Sequence, residues 1–567
     1  MNLVDIFYKQ VKNNPDKVVY THLVNGEDEV KTVTYKQLCE RAESIAIELQ
    51  KNYKVGDKAL LLFDTGLDFV SSLWACFISG IIAVPIHPPI DMRSLTKLLG
   101  ILKDSKANVV ITTQDFVNQM AFVKSSIPDA PDIGSLAVDK IDITGSTFIS
   151  FKAEDSSHAL IQYTSGSIGM SKGVLLTHNN IVYNAYMLKA VLDEIPPPNA
   201  EIDSFCCWLP LYHDMGLMSG VILPLVMGTS SVLMSPLMFL QKPVRWLKAI
   251  SKYKATVSAA PNFAYELCIK KTKEEQLNEL DLSTWSVALN GAEAVRSNTI
   301  KNFTDKFSVC GFKHEYFFPA YGLAESVVFV TGPSRNELPI VLKADKESLE
   351  NHKILETNNN DNSVDIVSIG HIWLEEKVKI VNPETLEECN ADEIGEVWVN
   401  SQAIAYEYLN MPEESEYTFN AFIKGNDSEK YLRTGDLGFF KGRNLFITGR
   451  IKDLIIIRGK NHYPHHIEIT TEKFSEHFRL GSNAAFSVNH ENEEKLVVVQ
   501  EIKNDTKISN SDELKQSLKN HITEEHGITP HDIVFIRQGS IFKTSSGKVQ
   551  RRLCQNKYIK GQLELWK

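Results

Sequence analysis

Apolar positions recur along this chain with two periods. Between Tyr35 and Lys51, the residues Leu38, Ala42, Ile45, Ala46 and Leu49 fall on one face at helical spacing, which predicts an amphipathic helix. The run ALLLF at 59–63 follows as a strand with no polar face. Phe69 to Ile86, FVSSLWACFISGIIAVPI, carries no charge and has the lower-limit length of a membrane span. Gly80 divides it, however, and IAVPIHPPI then reads as a buried strand stopped at Pro88 and Pro89. A core helix followed by a core strand is therefore expected, with no transmembrane segment. A further helix has Leu95, Leu98, Leu99 and Leu102 in phase, before the strand NVVITT at 108–113. The runs ATVSAA (255–260), WSVALNG (285–291) and EYFFPAYG (315–322) are of the same apolar kind. Strands without a polar face suit parallel sheets covered by helices, so the fold class is α/β.

Two places break this pattern. Val341 to Asp365 is polar and ends in an Asn/Asp cluster, a composition that predicts a flexible surface insertion. Beyond Gly449–Asp453 the chain reads as a short α+β unit, with strands at LIII, AAFSV, KLVVVQEI and DIVFI and a helix over 511–527. Two units are expected, 1–451 and 452–567, with a hinge near Lys452.

At 567 residues, two or three subdomains fit better than one core. A net charge of -11 argues against a nucleic-acid partner, whose footprint is basic. The eight cysteines are scattered without a CxxC pair and read as reduced thiols, which predicts a cytoplasmic protein. Met1 to Gln10 carries Asp5 and Lys9 and reads as an amphipathic helix, not a signal peptide.

The chemistry concentrates first in YTSGSIGMSKG (163–173). The apolar runs HALIQY and VLLTH on either side predict strands holding a loop. Gly166 and Gly169 free backbone N–H groups to form an anion nest, Thr164, Ser165 and Ser167 add hydroxyl donors, and Lys172 adds a compact cation. Such a loop grips a polyphosphate. It is not a Walker A loop, because Gly173 follows the lysine and a strand follows in place of a helix. In LPLYHDMGL (209–217), His213 and Asp214 form a neighbouring acid/base pair without the further spaced ligands that zinc needs. HYPHH (462–466) is interrupted by Pro464 and does not read as a metal site either.

Four more segments follow in order: YGLAES (321–326), YLRTGD (431–436), GRIKDLIIIRGKNHYPHHIE (449–468) and KTSSGKVQRR (543–552). Together with the 163–173 loop they resemble the adenylate-forming superfamily of acyl-CoA synthetases, luciferases and adenylation domains. The resemblance implies a large N-terminal domain of parallel-rich sheets with a distorted barrel, and a small mobile C-terminal domain. It also implies roles for named residues. The 163–173 loop, including Ser165, Gly166, Ser167 and Gly169, would hold the phosphates of ATP. Glu325 would be the Mg²⁺ ligand, a hard oxygen donor suited to that ion. Tyr321 and Gly322, with Gly291, Ala292 and Glu293 of NGAEAV, would line adenine. Asp436 would take both ribose hydroxyls, and Arg450 would reach ribose and phosphate. Lys548 would be the catalytic lysine at the α-phosphate, and His213 would border the substrate carboxylate. Ile168 and Ser171 depart from the usual Thr and Pro of the phosphate loop.

Trp208, Met215, Leu217, Met218 and Phe263 lie in segments that the resemblance places around the substrate, and their apolar, mobile side chains suit a fatty acid. The segment 340–354, followed by VSIGH, resembles the insertion of fatty acyl-AMP ligases, which pass their acyl-adenylate to the phosphopantetheine thiol of an acyl carrier protein. No carrier motif occurs in this chain, so the carrier would be separate. His465 and His466 stand where that family commonly has Gln-Asp. A long-chain acyl-CoA synthetase and a non-catalytic nucleotide-binding regulator on the same fold are the alternatives. The cations Lys543, Lys548, Arg551 and Arg552 read equally as a carrier-facing patch or a solvated basic tail.

Overall fold

The apolar runs of the first half become the central strands of two seven-stranded sheets. The computed structural model describes residues 2–89, 91–119, 133–142, 148–164, 171–194, 204–491, 493–504, 508–544 and 547–566. In the first sheet the strands run in the order Phe317–Pro319, Val287–Asn290, Val257–Ala260, Phe205–Cys207, Ser231–Met234, Val18–Leu23, Val30–Thr34. Every neighbouring pair is parallel except the last. The second has the order Glu407–Tyr408, Lys172–Thr177, His158–Thr164, Ile82–Ile86, Lys58–Leu62, Val109–Thr112, Gly134–Ala137. Its last five strands are parallel and its first two join antiparallel.

Helices cover these sheets as the periodicity predicts. The helix Tyr35–Asn52 begins at a capping box in which Thr34 and Gln37 satisfy each other's backbone N–H groups. The uncharged run splits into helix Leu67–Ser79 and strand Ile82–Ile86. Gly80 ends that helix at φ +75°, and a Cβ there would meet the Phe151 ring at 2.9 Å, so both backbone and packing demand glycine. Among the described residues, no helix is long and apolar enough to cross a membrane.

A third, antiparallel sheet contains Lys377–Val381, Gly395–Asn400, Asn426–Lys441 and Ala421–Ile423, with Asn444–Arg450 paired on Asn426–Lys441. The turn Ile451–Asp453 follows. Beyond it, Phe478–His490, Glu493–Ile502 and Asp532–Ile536 form a three-stranded sheet, packed with helices Pro464–Phe474, Ser511–His526 and Arg551–Ile559 around cores built from residues after 454. All eight cysteines are free.

The polar insertion is not the flexible loop its composition predicts. Val341–Asp345 and Ser363–Val367 form an antiparallel pair, with helix Lys346–Glu350 between them. Leu342 and Ala344, alternating on the strand, and Leu349 on the helix are buried, and these three apolar residues, outnumbered in the composition, decide the structure. The helix faces the C-terminal part of the chain. Glu350 accepts from Lys460 at 2.7 Å, its carbonyl accepts from Asn461 at 2.9 Å, and Lys346 pairs with Glu525 at 3.5 Å.

Candidate active site

Parallel sheets present ligands to the carboxyl ends of their strands. Four neighbouring strands of the first sheet end at the residues that the sequence singles out. Phe205–Cys207 leads into Trp208, Val257–Ala260 into Phe263, Val287–Asn290 into Gly291–Glu293, and Phe317–Pro319 into Tyr321–Glu325. Ala260 pairs with Asn290 and Asn290 with Pro319, so three of these exits are level. Close backbone approach fixes the glycines. A Cβ on Gly322 would lie 1.7 Å from the Val328 carbonyl, and one on Gly291 would lie 2.9 Å from that of Ala320. Ala292 adopts φ +66°, a conformation that costs a non-glycine residue energy and that clusters at functional sites.

Asp436 and Arg450 are register partners on Asn426–Lys441 and Asn444–Arg450. The Arg450 Nε donates to Asp436 Oδ1 at 2.7 Å and the Tyr321 hydroxyl donates to Oδ2 at 2.6 Å. Asp436 is buried, and each of its oxygens keeps a second lone pair for an incoming hydroxyl.

The two apolar runs flanking 165–171 form the expected strands, which pair antiparallel with Thr164 opposite Lys172. Ser165, Gly166, Ser167 and Gly169 lie outside the described residues. Lys172 is not a lone cation. It pairs with Glu414 and sits 4.5 Å from the centroid of the Tyr408 ring. The Tyr408 hydroxyl in turn donates to Glu325 at 2.6 Å. No group of three or more His, Cys, Asp or Glu among the described residues suits a metal ion. A single carboxylate such as Glu325 suits a Mg²⁺ that takes its other ligands from phosphate oxygens and water, not one held by protein alone.

Lys548 sits on a turn closed by Thr544: the Thr544 N–H donates to the Lys548 carbonyl at 2.7 Å, and the Lys548 N–H donates to Thr544 Oγ1 at 3.1 Å. Gly547 has φ +88°, and a Cβ there would lie 2.9 Å from the Phe263 ring, so this turn is seated against Phe263. Burial and the Arg450 charge lower the Lys548 ammonium, while Asp214, Glu293 and Asp436 oppose that shift. His213 pairs through Nδ1 with Asp214 at 2.5 Å. Burial alone would raise the Asp214 carboxyl, but His213 and Lys548 outweigh it and hold the group below its usual range. Glu293 is raised by burial, although its carboxylate accepts from the Phe263 N–H at 2.6 Å.

Trp208, Met215, Leu217 and Met218 are buried, and Phe263 is half-buried against them. Trp208 stacks on Phe239 at 3.8 Å and meets Phe263 edge-on at 6.3 Å. Met218–Ile222 is a π-helical turn, a local widening of the helix common at functional sites and invisible to apolar periodicity. The basic tail is not freely solvated: Arg551 makes a two-pronged bond to Glu468 at 2.6 and 2.7 Å and reaches Asp453 at 3.1 Å. Sequence reasoning missed Tyr408 and Glu414, since AYEYLNMPEE reads as an ordinary loop and only its long-range contacts bring it to the site.

Residues 7–409 match the AMP-binding enzyme family, and residues 452–567 match the family described as Disco-interacting protein 2-like, AMP domain. The chain is 39% identical to the medium-chain-fatty-acid–acyl-carrier-protein ligase JamA of Moorena producens (strain JHB), over 100% of this chain and 96% of that protein. It is 37% identical to the crystal structure of a fatty acid AMP ligase from Legionella pneumophila, covering 100% and 97% of the two chains at a TM-score of 0.77. A structure from a study of fatty acyl-adenylate ligases of E. coli and L. pneumophila is 28% identical, covering 99% and 98% at a TM-score of 0.87.

Proposed function

Because the chain belongs to the AMP-binding enzyme family, we propose that it is a fatty acyl-AMP ligase that hands its product to a separate acyl carrier protein. The observation that carries this reading is the seating of the Lys548 turn on Phe263, with the charges of Asp214, Glu293 and Asp436 near enough to act on the ammonium. That arrangement brings a positive charge to the junction of an apolar pocket and a ribose-binding carboxylate. A fatty-acid carboxylate attacks the α-phosphorus of ATP, the new acyl–phosphate bond forms as the α–β bridge breaks, and pyrophosphate leaves. Lys548 stabilises the charge that develops there and draws the two anions together. Asp436 and Arg450 hold the ribose, Tyr321 and Gly291–Glu293 border the base, and Thr164, Lys172 and the loop between them hold the phosphates. Glu325 would hold Mg²⁺, which when bound would neutralise charge on the phosphates. His213, fixed by Asp214, borders the substrate carboxylate.

The apolar side chains from Trp208 to Phe263 support an acyl chain over an amino acid. The two carboxylates nearby, Asp214 and Glu293, are already engaged by His213 and by the Phe263 N–H. Residues 452–567 act as the mobile domain, with the hinge at Lys452. The contacts of Lys346 and Glu350 with that domain support a restricted swing that disfavours free CoA and favours a carrier thiol. Eight free thiols suit the reducing cytoplasm. The test is ATP–pyrophosphate exchange with the purified chain. Exchange that requires a fatty acid and is not supported by amino acids is expected. Exchange driven by amino acids alone, or none with any fatty acid, overturns the reading.

A further inference from the structure

Tyr408 is buried on a two-residue strand, Glu407–Tyr408, that extends the second sheet beyond the phosphate-loop hairpin. It pairs with Val174, and the Leu409 N–H donates to the Gly173 carbonyl at 2.8 Å, so this strand is fixed to the one that carries Lys172. Three residues earlier, the Ala405 N–H donates to the Glu325 carbonyl at 2.9 Å, which fixes the same segment to the other half of the site. The Tyr408 amide donates to Ser415 Oγ at 2.9 Å, and its ring packs on Phe419 at 4.9 Å. The side chain has no freedom to move away.

Its two ends do different work. The hydroxyl donates to one oxygen of Glu325 at 2.6 Å, fixing the rotation of the carboxylate and so the direction of the other oxygen. Burial pushes the phenol up, so it remains a donor across the working pH range. The ring face, electron-rich at its centre, holds the Lys172 ammonium 4.5 Å from its centroid, while Glu414 holds the same ammonium from another direction. We infer that Tyr408 is a positioning residue that aligns the Glu325 carboxylate for Mg²⁺ and the Lys172 ammonium for phosphate at once, so that metal and nucleotide binding are coupled through one side chain. This rests on the roles proposed above for Glu325 and Lys172.

The test is equilibrium binding of the α,β-methylene analogue of ATP to wild type, Tyr408→Phe, Tyr408→Leu and Glu325→Gln, each with and without Mg²⁺. Removing a partner that orients a metal ligand typically costs about tenfold or more in metal affinity. The gain in analogue affinity on adding Mg²⁺ should therefore fall by about tenfold in Tyr408→Phe. Its affinity without Mg²⁺ should match wild type, because the ring remains beneath Lys172; that value also reports an intact fold. Tyr408→Leu should lose affinity in both conditions. An unchanged Mg²⁺ gain in Tyr408→Phe, together with a lost gain in Glu325→Gln, overturns the inference alone. An unchanged gain in both overturns the assignment of Glu325 itself.

Discussion

The Tyr321 hydroxyl donates to Asp436 at 2.6 Å, joining the end of a parallel strand in the first sheet to the antiparallel sheet. Arg450 completes the group from the opposite side of the carboxylate. Two donors thus fix the orientation of the Asp436 carboxylate, which is the preorganisation that the ribose-binding role proposed for it requires.

Asp436→Asn should weaken ATP binding by roughly tenfold or more, the usual scale for hydrogen bonds to a charged group. The diagnostic is the discrimination between ATP and 2′-deoxy-ATP. It should be clear in wild type and much smaller in the variant; equal discrimination in both proteins would remove Asp436 from ribose recognition.

Lys548→Ala should reduce fatty-acid-dependent exchange by about a hundredfold or more while leaving affinity for a non-reactive ATP analogue within about threefold, because the lysine acts on the transition state. The ammonium is depressed from the ordinary 10.5, so its charge is lost at lower pH than in a free lysine. The alkaline limb of kcat/KM for adenylation should therefore lie below that value, and Lys548→Arg should move it upward.

Gly547→Ala tests the seating of the turn separately from the charge. The added methyl meets the Phe263 ring at 2.9 Å and forces a left-handed backbone on alanine. Strain of this kind costs about 1–3 kcal/mol, which predicts a slowdown of about fivefold to a hundredfold in exchange. Phe263→Ala in the same chain should recover part of it, and no recovery would mean that the backbone alone is responsible.

The insertion contacts give a prediction about acceptor choice. Replacing Lys346 and Glu350 together by alanine removes the ion pairs to Glu525 and Lys460. Acyl-CoA should then form from acyl-AMP at a rate measurably above wild type. A variant that still makes acyl-AMP and gains no CoA activity would show that these contacts do not restrict the swing.

The histidines beside that contact predict acid sensitivity. Burial pushes His465 down to about 3 and His526 to about 4, and burial with the neighbouring His465, His526 and Lys346 charges holds His466 well below the usual imidazole range. The unfolded chain binds protons to these groups near 6.5 and the folded chain does not, so stability is complete above that pH and is lost as pH falls toward 4. Each such group costs about 1 kcal/mol at one pH unit below its unfolded value. Unfolding midpoints measured from pH 7 to pH 5 should drop, with a shallower slope in His465→Gln; parallel slopes would mean that His465 is charged in the folded protein.

The strands, the helices and the order of the motifs were legible because they depend on local periodicity and on glycine. Gly80, Gly322 and Gly547 each mark a place where backbone meets a neighbour, and the sequence displays them directly. Three features were hidden. The insertion folds on Leu342, Ala344 and Leu349 although its average composition is polar. Tyr408 reaches Lys172 from a strand only two residues long, and Glu414 from the short helix Pro412–Phe419 that follows it, both too short for a clear periodic signal. Arg551 looks solvated in a basic run, yet Glu468, far away in sequence, takes it out of the patch.

The measurement that bears most directly on the central claim follows a radiolabelled fatty acid with ATP and Mg²⁺ by thin-layer chromatography, adding either CoA or a phosphopantetheinylated acyl carrier protein. Acyl-AMP should accumulate, persist when CoA is added, and move to the carrier thiol. Rapid conversion to acyl-CoA, with no preference for the carrier, would contradict that claim and make the insertion contacts structural only.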